Sequence, residues 1–184
     1  EEYEMLPGIT LHEAVKNGLP ADKIKQIYCE IIDHIVKMGR IPGAHLVNTK
    51  NIYVHQCAKE HITNVNGSVL GYICMAAVYT MNIGDKKAAN LYHSDITPKN
   101  TIVSDSGHLV GFIDLDSVAI SNVNYVFGMM AAKYIEMGFD IEDLFIQYEK
   151  VSDKKLNHAH VSKIANSMVY VKKTLWKLSQ QRNK

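Results

Sequence analysis

Residues 91–117 read LYHSDITPKNTIVSDSGHLVGFIDLDS and set Asp95 and Asn100 five positions apart, ahead of two short runs rich in β-branched residues. The runs, NTIVS and HLVGFID, are separated by Asp105, Ser106 and Gly107, a composition that favours a tight turn, so the stretch predicts a β-hairpin. Such a hairpin would hold Asn100 at the start of one strand beside Asp114 at the end of the other, with Asp95 in the loop just before. Three oxygen-bearing side chains then converge on one small volume. Phosphoryl transfer from a nucleotide needs such a set: a carboxylate to orient an attacking hydroxyl and accept its proton, and hard oxygen ligands for Mg2+ bridging the phosphates.

Around the hairpin the periodicity is helical. Residues 22–38 place Ile24, Ile27, Tyr28, Ile31, Ile35 and Met38 on one stripe, with Gly39 placed to end the helix. Residues 68–82 are apolar almost all round and predict a helix in the centre of the fold, while 41–67 mix turn signals with short apolar runs and support no assignment. Two further helices are expected at 124–138 and 140–151, the second capped by Asp140. A last one runs from about Val161 to Leu178, with Val161, Ile164, Ala165, Met168, Val171, Leu175 and Leu178 at helical spacing. The expected fold is α+β, mainly helical, with a single small β element at the motif.

Composition narrows the function. The 184 residues are 47% hydrophobic and carry a formal net charge of +1, which argues against a chain devoted to nucleic acid or a membrane surface. No apolar run is long enough to span a bilayer, and the acidic N-terminus has none of the character of a signal peptide, so a cytoplasmic protein is expected. Cys29, Cys57 and Cys74 are odd in number and apolar in context, and read as core thiols. The nine histidines, including the pair at 158–160, show no metal-ligand spacing and read as ordinary polar residues. From Lys154 onward there are eight Lys or Arg and no acidic residue; this basic end reads as a solvated face.

HSDITPKN matches the H-x-D-x-x-x-x-N catalytic loop, and GFIDLDS the metal-binding strand end, of the aminoglycoside phosphotransferase and choline kinase-like family, which the chain therefore resembles. The resemblance extends to YEMLPGITLHEAV, which is similar to the segment by which such enzymes leave their inter-lobe hinge. It implies a protein-kinase-like C-terminal lobe over residues 11–184, with 1–10 as a hinge remnant and the N-terminal β lobe absent. It also implies transfer of the γ-phosphoryl group of ATP or GTP to a hydroxyl of a small molecule, an aminoglycoside, choline-like or sugar acceptor. Asp95 would be the catalytic base, and His93 a buried residue that fixes the loop by hydrogen bonds. Asn100 and Asp114 would hold Mg2+ and the nucleotide, and Asp116 would support the metal or serve as a turn carboxylate. Residues from Tyr125 to Tyr148 would help to select the acceptor.

Two departures from the family pattern stand out. A further Asp that commonly buttresses the catalytic loop is replaced by Asn122 or Asn124, which can accept the same hydrogen bonds without charge. The sequence also contains no G-x-G-x-x-G, so the expected nucleotide clamp is missing. Three readings compete: the C-terminal lobe of a complete kinase, which is preferred; a truncation completed by a partner chain or a second copy; and a non-catalytic module that binds a small molecule or a protein. In the last, Asp95, Asp114 and Asp116 would form a negative pocket for a cation.

Overall fold

The apolar stripe of residues 22–38 folds as expected into a helix, Ala21–Met38, which buries Ile24, Ile27, Tyr28, Ile31, Ile32 and Ile35 and becomes the spine of the core. The computed structural model describes residues 6–41, 89–115 and 118–182. Among these the elements run β1 (Ile9–Thr10), α1 (Leu11–Lys16), α2 (Ala21–Met38), β2 (Ala89–His93), β3 (Thr101–Val103), β4 (Leu109–Phe112), β5 (Val118–Asn122), α3 (Val123–Glu136), α4 (Ile141–Val151) and α5 (His158–Arg182). The helix expected at 68–82, and the unassigned segment before it, lie outside the described residues.

The predicted hairpin is present as β3 and β4, paired antiparallel with Thr101 opposite Phe112 and Ile102 opposite Gly111. Its turn is closed by Ser104 N–H to His108 O and Gly107 N–H to Ser104 O, both at 2.9 Å, and Gly107 takes φ +75°, which suits glycine. The expectation of a single β element is corrected. Ile9 and Thr10 add a third strand by pairing with Val103 and Ile102, and β2 pairs with β5 in a second antiparallel ladder from Ala89–Asn122 to His93–Val118. A two-residue strand and two five-residue ones, each bounded by helices or loops, leave too little alternation for a period of two to show.

Thr10 turns the chain from β1 into α1 through a capping box. Its Oγ1 accepts from Glu13 N–H at 3.1 Å, while Glu13 Oε2 accepts from Thr10 N–H at 3.1 Å. Gly39 does end α2, but not through a left-handed cap, since its φ is −64°. A Cβ there would stand 2.5 Å from the Tyr92 hydroxyl oxygen, so the glycine admits a buried side chain of β2.

α3 crosses α5 at Gly128, where an added Cβ would meet Ile164 Cβ and Cγ2 at 2.8 Å and Val161 O at 3.3 Å. Ile164 is fully buried and branched at that atom, so it cannot swing aside. Gly128→Ala is therefore expected to destabilise the fold. Overpacking costs about 1–3 kcal/mol and the helix-propensity gain returns about 1 kcal/mol, leaving a net loss of about 1 kcal/mol by denaturant unfolding. α4 begins at Asp140, whose Oδ1 accepts from Glu142 N–H at 3.1 Å as expected, and buries Leu144, Phe145 and Tyr148 against α2 and α3. Phe127 stacks on Phe145 and meets Tyr148 edge-on, with ring centroids 6.1 and 5.4 Å apart.

One carboxylate fastens the hairpin to this helical body. Glu30 on α2 accepts from Leu109 N–H at 2.6 Å, and from Gln26 Nε2 at 3.0 Å, with His108 Nδ1 at 2.8 Å. Burial raises its pKa, and the hydrogen bonds from Leu109, His108 and Gln26 outweigh that, so the carboxyl lies below its ordinary value of 4.5. A depressed carboxylate contributes stability above its unfolded pKa and loses it as pH falls through the folded one. Glu30→Ala is thus expected to cost about 1–3 kcal/mol at neutral pH, with the difference from wild type shrinking below about pH 4 in urea melts.

Candidate active site

β2 delivers His93 into the interior, where the side chain is 1% exposed. The ring spans two segments: Nε2 lies 3.0 Å from Ile113 O, and Nδ1 lies 3.3 Å from Asp95 N. A carbonyl can only accept and a backbone N–H can only donate, so these partners set the neutral tautomer with the proton on Nε2. One imidazole thereby ties the loop at Asp95 to the strand end at Asp114.

The loop itself closes on its own backbone. Thr97 O accepts from Asn100 N–H at 3.0 Å and from Thr101 Oγ1 at 2.9 Å, and Pro98 O accepts from His12 N–H at 2.9 Å. Ile96 is buried beneath the loop, which leaves Asp95 half-buried at its rim. Asn100 Nδ2 donates to Asp95 Oδ2 at 2.8 Å and to Asp95 O at 3.1 Å. Both amide hydrogens are thus spent on Asp95, and the amide oxygen is the part of Asn100 that remains to meet a cation.

The predicted closeness of Asn100 and Asp114 is carried by the backbone, since Ile113 N–H donates to Asn100 O at 2.9 Å. Both polar backbone groups of Ile113 are therefore held by motif residues, Asn100 on one side and His93 on the other. The next residue, Asp114, is exposed and takes φ +63°, the one positive φ among the described non-glycine residues. Aspartate tolerates this conformation better than most side chains, and such strain concentrates at ligand sites. Asp116 lies outside the described residues.

The donor set fits Mg2+ in kind: a carboxylate at Asp114, an amide oxygen at Asn100 and a second carboxylate at Asp95, all hard oxygen donors. Among the described residues no three His, Cys, Asp or Glu side chains form a metal cage.

The two asparagines noted in the sequence both act at helix ends. Asn122 caps α3, its Oδ1 accepting from Asn124 N–H at 2.7 Å, and Asn124 Oδ1 accepts from Asn157 N–H at 2.9 Å just before α5. Of the histidines, His108 joins the Glu30 latch and His158 stacks on Phe145 at 4.0 Å with Glu149 Oε1 2.9 Å away, which are structural roles. Cys29 is half-buried, and burial pushes its thiol pKa up, in keeping with a core thiol; Cys57 and Cys74 lie outside the described residues.

A residue that the sequence reading did not single out is a half-buried lysine on α3. Lys133 is the one charged residue in 124–135 of an otherwise apolar helix. Burial draws its pKa below the ordinary lysine range, while Glu136 and Asp95 act in the opposite sense. A lone lysine in an apolar helix was the available signal.

No protein-family model matches this sequence, and no curated protein matches it. Among solved structures, an aminoglycoside-3'-phosphotransferase of type VIII superposes with a TM-score of 0.61 at 12% identity, over 89% of this chain and 66% of its own. A macrolide 2'-phosphotransferase type I does so with a TM-score of 0.53 at 12% identity, over 85% of this chain and 55% of its own. The fold is thus a kinase-like phosphotransferase fold, mainly helical with small sheets, and the resemblance carried by the motifs holds at the level of fold. The chain spans less than two thirds of the length of either neighbour. No helix of the described residues is long and apolar enough to cross a membrane.

Proposed function

We propose that this chain carries the catalytic loop and metal site of a small-molecule phosphotransferase, which moves the γ-phosphoryl group of ATP or GTP to an acceptor hydroxyl when a nucleotide-binding lobe is present. The observation that carries the reading is the locked cluster: Asn100 amide on the Asp95 carboxylate at 2.8 Å, with His93 bridging Asp95 N–H and Ile113 O. A solvated pair of capping residues would not need a buried imidazole to register it against a strained aspartate.

In this reading Asp95 orients the acceptor hydroxyl and takes its proton as the new P–O bond forms and the nucleoside diphosphate leaves. Asn100 holds Asp95 in place through its amide hydrogens and offers its amide oxygen, with Asp114 and with support from Asp116, to Mg2+. The ion, when bound, neutralises charge on the phosphates. His93 is a positioning residue that keeps the base and the metal strand in register. The chain contains no glycine-rich phosphate loop of the G-x-G-x-x-G type, so the clamp over the phosphates is supplied by a nucleotide lobe or by a partner chain.

A second reading, a binding module without chemistry, would use the same cleft without Mg2+. Calorimetric titration of the chain with ATP and GTP, with and without Mg2+, separates the two. Mg2+-dependent binding that Asp114→Asn removes supports the phosphotransferase; binding indifferent to Mg2+ and to Asp114 supports the module.

A further inference from the structure

Charge is segregated along the chain. From Lys154 onward eight Lys or Arg meet no acidic residue, so residues 1–153 hold twelve Lys or Arg against all nineteen acids. The fold displays the two signs on separate helix faces. On α5, Lys163, Asn166, Tyr170 and Lys173 are exposed at steps of three, four and three residues, a single stripe with Tyr170 66% exposed within it. On α4, Glu142, Ile146 and Glu149 are exposed at steps of four and three, with Ile146 68% exposed between the two acids. Asp140 and Asp153 stand exposed just beyond the ends of α4, and Lys150 is the one base within that helix.

Each stripe therefore sets an exposed apolar side chain between like charges, and the two stripes differ in sign. At a rise of about 1.5 Å per residue, Lys163 and Lys173 lie about 15 Å apart along α5 and Glu142 and Glu149 about 10 Å apart along α4, a difference that flexible lysine stems take up. Both stripes are exposed, so neither covers the other within one chain. A nucleic acid or an anionic bilayer would answer the basic stripe alone and leave the acids of α4 unmet. A second copy answers both, because every copy brings one stripe of each sign.

We propose that the chain self-associates, with the α4 stripe of one copy seated on the α5 stripe of another, Ile146 against Tyr170 and the acids Glu142 and Glu149 against Lys163 and Lys173. The role is independent of the phosphotransferase reading, since neither helix carries Asp95, Asn100 or Asp114. Desolvation of Ile146 and Tyr170 at the centre supplies the attraction, and the flanking charges set which helix meets which. One helix on one helix is a small interface, so the association is weak, in the micromolar range, and falls with salt because the ion pairs lie at its rim. Glu149 also lies 2.9 Å from His158 Nε2 of its own chain, which holds its side chain near the stripe.

The test is the mass of this chain in solution by sedimentation velocity, at about 100 μM and low salt, well above a micromolar Kd. Two charge-reversed chains are compared with wild type, Glu142→Lys with Glu149→Lys and Lys163→Glu with Lys173→Glu, each checked for native helix content by circular dichroism. Wild type is expected to associate, and each reversed chain to sediment as a monomer because both of its stripes then carry one sign. An equimolar mixture of the two is expected to associate again, since the signs are once more opposite, and a misfolded variant could not produce that recovery. Tyr170→Ala, which leaves every charge in place, is expected to weaken self-association about tenfold. A monomeric wild type, association indifferent to both reversals, or a mixture of two folded variants that stays monomeric overturns the proposal. A wild-type monomer that binds anionic vesicles through Lys163 and Lys173 overturns it as well, and gives the α5 stripe to a lipid surface.

Discussion

Asp95→Asn is expected to lower the rate of phosphotransfer by about 10^2–10^4-fold, the range a general base contributes, while leaving the fold in place. The reasoning is geometric. The substituted amide keeps a carbonyl oxygen where Asp95 Oδ2 now accepts from Asn100 Nδ2 at 2.8 Å, so the loop retains its internal bond. It cannot take a proton from a hydroxyl. The side chain sits half-buried at the loop rim above buried Ile96, so no cavity opens, and the unfolding free energy is expected to change by less than about 1 kcal/mol. Rate and stability measured together on one preparation check this. A large loss of stability would mean that the carboxylate is a structural cap, and an unchanged rate would remove Asp95 from the chemistry.

The second large effect separates function from stability at Asp114. Its φ of +63° costs an ordinary L-residue about 1–2 kcal/mol, a penalty that glycine escapes. Asp114→Ala keeps that strain without the polar side chain that makes it tolerable, and is expected to lose about 1 kcal/mol. Asp114→Gly relieves the strain but frees the unfolded chain, at a cost of about 0.4–1 kcal/mol, so its stability should stay near wild type. Both variants lack the carboxylate, and the Mg2+ concentration needed for half-maximal nucleotide binding is expected to rise by more than about 10–100-fold in each. Thermal melts and a Mg2+ titration across the three proteins give the comparison. Equal Mg2+ dependence in wild type and Asp114→Gly would contradict the role assigned here.

How much of this was legible beforehand follows from element length. α2, α4 and the C-terminal helix announce themselves because eleven to twenty-five residues give the 3.6-residue period room to show. The hairpin was readable from its turn residues, and the closeness of Asp95, Asn100 and the strand end at Asp114 from their spacing. β1, β2 and β5 were not, because they are short and paired with partners distant in sequence, such as Ile9 with Val103 and Ala89 with Asn122. Gly39 ends α2 as its sequence position indicated, but the close approach of the Tyr92 hydroxyl at the same residue is a tertiary contact that no local pattern encodes. The same holds for Glu30, which looks like any polar residue of an amphipathic helix until Leu109 N–H is found on it at 2.6 Å. His93 was expected to fix the loop by hydrogen bonds, and its geometry adds that the same ring reaches the strand end before Asp114 through Ile113 O. Lys133 stood out of an apolar run in the sequence, yet the carboxylate of Glu136 that it shares with Lys172 of α5 is brought together only by the fold.

The central claim is that Asp95, Asn100 and Asp114 form one metal-nucleotide site, and paramagnetic broadening of amide signals by Mn2+ with a nucleoside triphosphate tests it most directly. The account predicts that the amides of Asn100 and Asp114 broaden first at substoichiometric Mn2+, that Asp95 follows, and that Asp114→Asn abolishes the pattern. Broadening that instead tracks exposed carboxylates such as Asp140 and Glu142, and is indifferent to Asp114→Asn, would contradict it.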